Sequence, residues 1–205
     1  MTSIVWDMGG TLFDTYPSID NAFRELLLEH GVDVEFSEIS ALTRVSRDHA
    51  IETLSERSGI PVSLFEERYE RVKQTWEVHP APLMAGALDV AAACTESGGK
   101  NLVVTHRDRD SAQQLLDTTG FIADDMICTS DGYPRKPDPT MIQVILSRNG
   151  IEARDCVAVG DRGIDMEAAL ATGVTPYYLV TAGISTTYEG AQSIGSLFEL
   201  LPHLQ

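Results

Sequence analysis

Five short apolar runs, Ser3–Trp6, Leu102–Val104, Met126–Cys128, Cys156–Val159 and Tyr177–Val180, alternate with stretches of helical periodicity. No other feature constrains the chain as much. Each run is too short for a helix and is bounded by polar residues or Gly, so each predicts a strand. The helical patterns over Gly86–Ser97, Asp110–Thr119, Pro139–Asn149 and Asp165–Thr172 are each followed by a glycine (Gly98, Gly120, Gly150, Gly173). Glycine there supplies the left-handed residue that closes a helix. Strands alternating with helices predict an α/β core, a parallel sheet covered on both faces.

One long stretch breaks the alternation. From about Pro17 to Pro80 there are helical periods and no convincing strand. Ile19, Ala22, Phe23, Leu26 and Leu27 form an i, i+3, i+4, i+7, i+8 stripe that Gly31 ends. Ser63 and Glu66 have the spacing of a capping box, after which Phe65, Tyr69, Val72 and Trp76 line one face. Ile39–Leu54 supplies one or two further helices. The expectation is a four-helix insert over 16–80 placed in a core made of 1–15 and 81–205. The aromatic stripe reads as core of that insert, and His30, His49 and His79 as surface or helix-end residues without metal-ligand spacing.

Composition narrows the partners. The 205 residues carry 15 basic and 31 acidic side chains, a net charge of −16, which argues against nucleic acid and anionic membrane surfaces. It leaves room for a small phosphorylated substrate, because a few local cations or a metal hold one phosphate. Cys94, Cys128 and Cys156 are odd in number and far apart, so packing is their expected role. The N-terminus lacks the basic and apolar regions of a signal peptide, and no apolar run approaches the roughly 18 residues of a membrane span. The expected setting is the cytoplasm. The sequence does not give the oligomeric state.

In an open parallel sheet, ligands gather beyond the carboxyl ends of the strands. Here the residues after successive strands are Asp7-Met8-Gly9-Gly10-Thr11, Thr105-His106-Arg107, Thr129 to Pro139 with Lys136, and Gly160-Asp161-Arg162-Gly163-Ile164-Asp165. Carboxylates brought close together suit a hard cation such as Mg²⁺. A hydroxyl, a lysine and loop amides suit phosphoryl oxygens. Each piece alone is ordinary: a turn Asp, a capping Thr, a solvated Lys, an Asp favoured by a helix dipole. Their joint occurrence after strands points to phosphoryl transfer, with one Asp as nucleophile.

With these residues in view, the chain resembles the haloacid dehalogenase superfamily, in the branch with a helical cap after the first strand, and its phosphoglycolate-phosphatase-like members most closely. The family's four motifs are matched by Asp7-Met8-Gly9-Gly10-Thr11, by Thr105, by Lys136-Pro137-Asp138-Pro139, and by Gly160 to Asp165 with Ala168-Ala169 beyond. The resemblance implies a Rossmann-like core with a helical-bundle cap that closes over the site, and a Mg²⁺-dependent phosphatase acting on a small phosphorylated metabolite. It implies Asp7 as nucleophile, forming an aspartyl-phosphate. The implied metal ligands are Asp7, the Gly9 carbonyl and Asp161, with Asp165 shaping their shell. Thr105, the His106 amide and Lys136 are implied to hold the phosphoryl group.

One position departs from the pattern. The family places a second Asp, its general acid/base, where this chain has Gly9. The main-chain metal contact survives the change; the proton-transfer group does not. Two other classes therefore stay open: a related enzyme acting on a phosphonate or carbon–halogen bond, and a non-catalytic phosphate- or partner-binding protein. The Gly160-Asp161 motif weighs against a metal-free dehalogenase. Lys73, the one insert lysine, lies far along a late helix, which weighs against a Schiff-base phosphonatase. A receiver domain is disfavoured by the insert and the motif order.

Overall fold

The computed structural model describes residues 1–180 and 187–204. In chain order its elements are β1 (Ser3–Trp6), α1 (Tyr16–Glu29), α2 (Phe36–Val45), α3 (Arg47–Ser58), α4 (Val62–Val78), α5 (Ala87–Glu96), β2 (Asn101–Val104), α6 (Arg109–Asp117), β3 (Asp125–Ile127), α7 (Thr140–Asn149), β4 (Cys156–Gly160), α8 (Gly163–Thr172), β5 (Thr175–Leu179) and β6 (Gln192–Ile194). Two compact units result: Met1–Phe13 with Leu83–Gln205, and Asp14–Pro82.

The first unit is built on a six-stranded sheet of order β3-β2-β1-β4-β5-β6. Every pairing is parallel. β1, β2 and β4 are buried along their whole length, as strands covered on both faces must be. Val5, Leu102, Val104 and Ala158 pack with Met141, Ile142 and Ile145 of α7 and Ala168 and Ala169 of α8. The two alanines let α8 lie close to the sheet. Trp6 points the other way, meeting Phe121 edge-on at 5.8 Å and donating from Nε1 to Asn101 Oδ1 at 3.0 Å. β6 is a strand that the apolar pattern does not signal, since Gln192 and Ser193 are exposed.

The strand order reverses between β1 and β4, and the loops after those strands flank the crevice where ligands collect in such sheets. Cys94, Cys128 and Cys156 are buried and free, in keeping with a packing role. Burial pushes their thiols up to about 11, 11 and 12 respectively, so they stay protonated. Among the described residues no helix is long and apolar enough to cross a membrane.

In the second unit α1 buries Ile19, Phe23, Leu26 and Leu27, and Phe23 meets Phe65 of α4 edge-on at 5.5 Å. His30, His49 and His79 are exposed near helix ends. Asp20 is fully buried and accepts hydrogen bonds from Ser40, Thr43 and Arg44, which ties α1 to α2. The Ser63–Glu66 capping box does not form. α4 starts at Val62 behind Pro61, two residues before the start that a Ser63 cap implies, and has no side-chain cap. A proline fixes the backbone at that boundary, so Ser63 already lies inside the first turn.

Candidate active site

Asp7 follows β1 directly. Its N–H donates to the Val159 carbonyl at 2.9 Å, which extends the β1–β4 ladder one residue and anchors the side chain at the sheet edge. The chain then turns back sharply. Leu12 and Phe13 both donate to the Met8 carbonyl, and Gly10 has φ 86°, a conformation for which glycine pays least. The turn carries Thr11 inward, where it is fully buried and its hydroxyl donates to Asp161 Oδ1 at 3.1 Å.

β4 ends in Gly160, and Asp161 and Asp165 follow at the start of α8. A Cβ on Gly160 would lie 2.4 Å from the Cβ of Asp165, so only glycine lets that carboxylate lie against the strand end. Asp165 Oδ2 accepts the Arg162 N–H at 3.1 Å, which fixes the turn between the two aspartates. Gly160→Ala is expected to push Asp165 outward and destabilise the fold by about 1–3 kcal/mol through overpacking. Urea unfolding reads the stability loss. An unchanged unfolding midpoint would refute the close-approach argument.

Lys136 arrives from the segment after β3 and is buried between Asp7 and Asp165. Its Nζ donates to Asp7 Oδ1 at 2.6 Å and to the Val104 carbonyl at 3.0 Å. It also lies 2.6 Å from Asp165 Oδ1, an ion pair without hydrogen-bond alignment. One ammonium thus sits between two carboxylates, each 4% exposed.

The electrostatics separate the two acids. Burial alone would raise the Asp7 pKa, but Lys136 and then Arg162 overcome it and hold the carboxyl below its usual range. Burial also raises Asp165; Lys136 opposes and the Asp7 charge adds to the rise. Lys136 would be lowered by burial, yet Asp165 and Asp7 hold it above the ordinary lysine value. Asp7 is therefore kept as a carboxylate, the form a nucleophile needs.

Carboxylate oxygens of Asp7, Asp161 and Asp165 lie within 4.8 Å of one another. Asp7 Oδ2 is buried and has no hydrogen-bond partner among the described residues. Three convergent oxygens, one with an unused lone pair, are the donor set of a hard divalent cation, so the residues present fit such an ion. Gly9 lies in the loop after Asp7 and forms an isolated bridge with Phe13.

Thr105 and His106 follow β2 at the same edge. Thr105 is 2% exposed, donates through its N–H to Ile127 and accepts the Arg107 N–H at its hydroxyl. The His106 carbonyl accepts the Thr129 hydroxyl at 2.7 Å. Its Nε2 is buried with no hydrogen-bond partner among the described residues. Burial, reinforced by Lys136, Arg135 and Arg162, pushes the imidazole down to about 3, so it is neutral near pH 7. Asp7, Lys136, Asp161 and Asp165 thus form one direct cluster. Thr105, His106 and Gly9 lie in the loops at the same sheet edge. Thr11 lies within the first motif, but its bond to Asp161, like that of the Val104 carbonyl to Lys136, has no sequence signal, because both depend on the way the loops fold back.

A model of the family described as haloacid dehalogenase-like hydrolase matches residues 4–178. The chain is 27% identical over 210 residues to a phosphoglycolate phosphatase of Rhodospirillum rubrum, covering 95% of this chain and 85% of that protein. It is 25% identical over 206 residues to the pyrophosphatase PpaX of Bacillus velezensis, covering 96% and 88%. A solved structure of a predicted phosphoglycolate phosphatase from Haemophilus somnus superimposes with a TM-score of 0.82 at 16% identity, covering 100% and 98%. At that identity the structural match speaks for the fold.

Proposed function

The chain belongs to the haloacid dehalogenase-like hydrolase family, and from that premise we propose that it is a Mg²⁺-dependent phosphatase working through an aspartyl-phosphate on Asp7. The observation that carries the reading is the buried Asp7–Lys136–Asp165 arrangement, with Asp161 beside it. A surface protein that merely used the fold would have no reason to keep three carboxylates and one ammonium desolvated together, at a cost of several kcal/mol per ion. The named activities of the two relatives above, on phosphoglycolate and on pyrophosphate, support a small phosphorylated substrate.

Asp7, Asp161 and the Gly9 carbonyl would hold the metal, with Asp165 orienting them. When bound, Mg²⁺ neutralises charge on the transferred phosphoryl group. Asp7 attacks phosphorus. Thr105 and the His106 amide hold the phosphoryl oxygens, and Lys136 keeps Asp7 ionised and counters the charge that builds up. Gly9 has no side chain to protonate the leaving oxygen.

The test is hydrolysis of p-nitrophenyl phosphate, 2-phosphoglycolate, glycerol 2-phosphate and pyrophosphate, each with Mg²⁺ and with chelator. At least one substrate is expected to turn over, with the rate falling by at least about 100-fold in chelator. Turnover that survives chelation, or cleavage of a phosphonate in preference to every phosphate, would overturn the reading.

A further inference from the structure

We propose that Arg162, assisted by Arg135, binds the leaving group as an oxyanion and commits the site to phosphoric anhydrides, acyl phosphates or diphosphates, rather than phosphate esters of alcohols. This rests on the phosphatase reading above and names the bond that the site is built to break.

The argument begins with what could protonate a leaving oxygen. Position 9 offers nothing. Asp161 accepts the Thr11 hydroxyl within the carboxylate cluster, and Asp165, although burial raises its pKa, is turned to Lys136 and to the Arg162 N–H and not to a leaving group. His106 is held neutral by its burial and by the cations around it. An alcohol leaving from phosphorus without a proton departs as a strongly basic alkoxide, and general acids typically contribute about 10²–10⁴-fold in rate.

What the site has in place of an acid is positive charge. In a chain with 15 basic against 31 acidic residues, each of three strand-end loops sets an arginine next to a site residue: His106-Arg107, Arg135-Lys136 and Asp161-Arg162. Arg107 donates to the Ser111 hydroxyl at 3.3 Å. Arg135 is exposed and takes part in no ion pair among the described residues. Arg162 is half-buried, and its N–H is tied to Asp165, so its side chain starts from a fixed point beside the β1–β4 crevice. Its charge is felt by both Asp7 and His106, and that of Arg135 by His106. Arginine stays protonated, so it is no proton donor here. Its planar fork matches the two oxygens of a carboxylate or phosphate.

The chemistry then balances without an acid. An Asp7 oxygen bonds to phosphorus as the bridging P–O bond breaks, and the bond's electron pair leaves on the bridging oxygen. An acyl phosphate releases a carboxylate. A singly protonated diphosphate releases hydrogen phosphate carrying the proton it brought. Water then attacks the aspartyl-phosphate at phosphorus, both of its hydrogens leave on the product as dihydrogen phosphate, and Asp7 returns as a carboxylate.

The experiment compares kcat/KM for acetyl phosphate, pyrophosphate and glycerol 2-phosphate in the wild type, Arg162→Gln, Arg162→Lys, Arg135→Gln and Gly9→Asp, with Mg²⁺ present. In the wild type at least one anhydride is expected to exceed glycerol 2-phosphate by about 100-fold or more; which one identifies carboxylate or phosphate as the leaving group. Arg162→Gln is expected to lower that preference by at least about 10-fold, with Arg162→Lys recovering part of it and Arg135→Gln giving a smaller loss. Gly9→Asp is expected to raise turnover of glycerol 2-phosphate. Comparable wild-type rates on the ester and both anhydrides would overturn the proposal, as would an Arg162→Gln variant that loses both classes by the same factor. If Mg²⁺-dependent hydrolysis of p-nitrophenyl phosphate persists in that case, the phosphatase reading stands and only the leaving-group assignment falls. If no phosphate compound is hydrolysed, both fall.

Discussion

Asp7→Asn is expected to lower kcat by on the order of 10⁴-fold or more on every phosphate substrate, while the protein stays folded. The substitution changes almost no volume. It removes the one group placed to attack phosphorus, and an amide is a poor nucleophile. Stability should move little: Lys136 keeps its ion pair to Asp165 and its hydrogen bond to the Val104 carbonyl, and an amide oxygen can still face Nζ. The variant also loses one of three clustered carboxylates, so Mg²⁺ should bind it more weakly. Steady-state rates, a thermal unfolding curve and a Mg²⁺ titration on one preparation separate these effects. A variant that keeps more than a tenth of the wild-type rate would show that another group attacks, and the aspartyl-phosphate route would fall with it.

The sequence makes the core legible because the core obeys local rules. Apolar runs such as Cys156–Val159 become strands buried on both faces, and Gly150 and Gly173 close α7 and α8 in the left-handed conformation. Asp7, Lys136, Asp161 and Asp165 stand out because each follows a strand, and a parallel sheet brings all strand ends to one edge. What stays hidden depends on distant partners or on polar pairing. Asp20 looks like an ordinary acidic residue beside an apolar stripe, yet its partners lie 20 to 24 positions away and bury it completely. Thr11 is within a recognisable motif, but its bond to Asp161 spans 150 positions and exists only because the loop doubles back at Met8. β6 pairs with β5 through its main chain, which leaves no hydrophobic trace. The neutral state of His106 follows first from its burial and then from cations on two other loops, and no local pattern encodes it.

Lys136→Met is expected to destabilise the protein by about 3–5 kcal/mol in chelator, the usual effect of removing one partner from a buried ion pair. For a chain of this length that corresponds to a fall in Tm of roughly 6–20 °C. Two effects oppose each other. Replacing the ammonium with an apolar chain of similar length relieves the desolvation of a side chain that is 3% exposed, which favours the variant. The same change leaves Asp7 and Asp165, each 4% exposed, as near neighbours without the cation between them. The second effect wins because two like charges stay buried where there was one compensated group, and one of them must take up a proton for the fold to persist. That reasoning fixes two further outcomes. Adding Asp165→Asn to Lys136→Met should recover a large part of the loss, because it removes the like charge instead of restoring the cation. Saturating Mg²⁺ should recover part of it as well, since a divalent ion at the same carboxylates replaces the missing positive charge. Urea unfolding of the single and double variants, with chelator and with Mg²⁺, measures all three quantities. A single variant within about 1 kcal/mol of wild type in chelator, the ordinary range for an exposed pair, would mean that Lys136 does not hold the carboxylates together, and the electrostatic account of the site would have to be rebuilt from the Arg162 side.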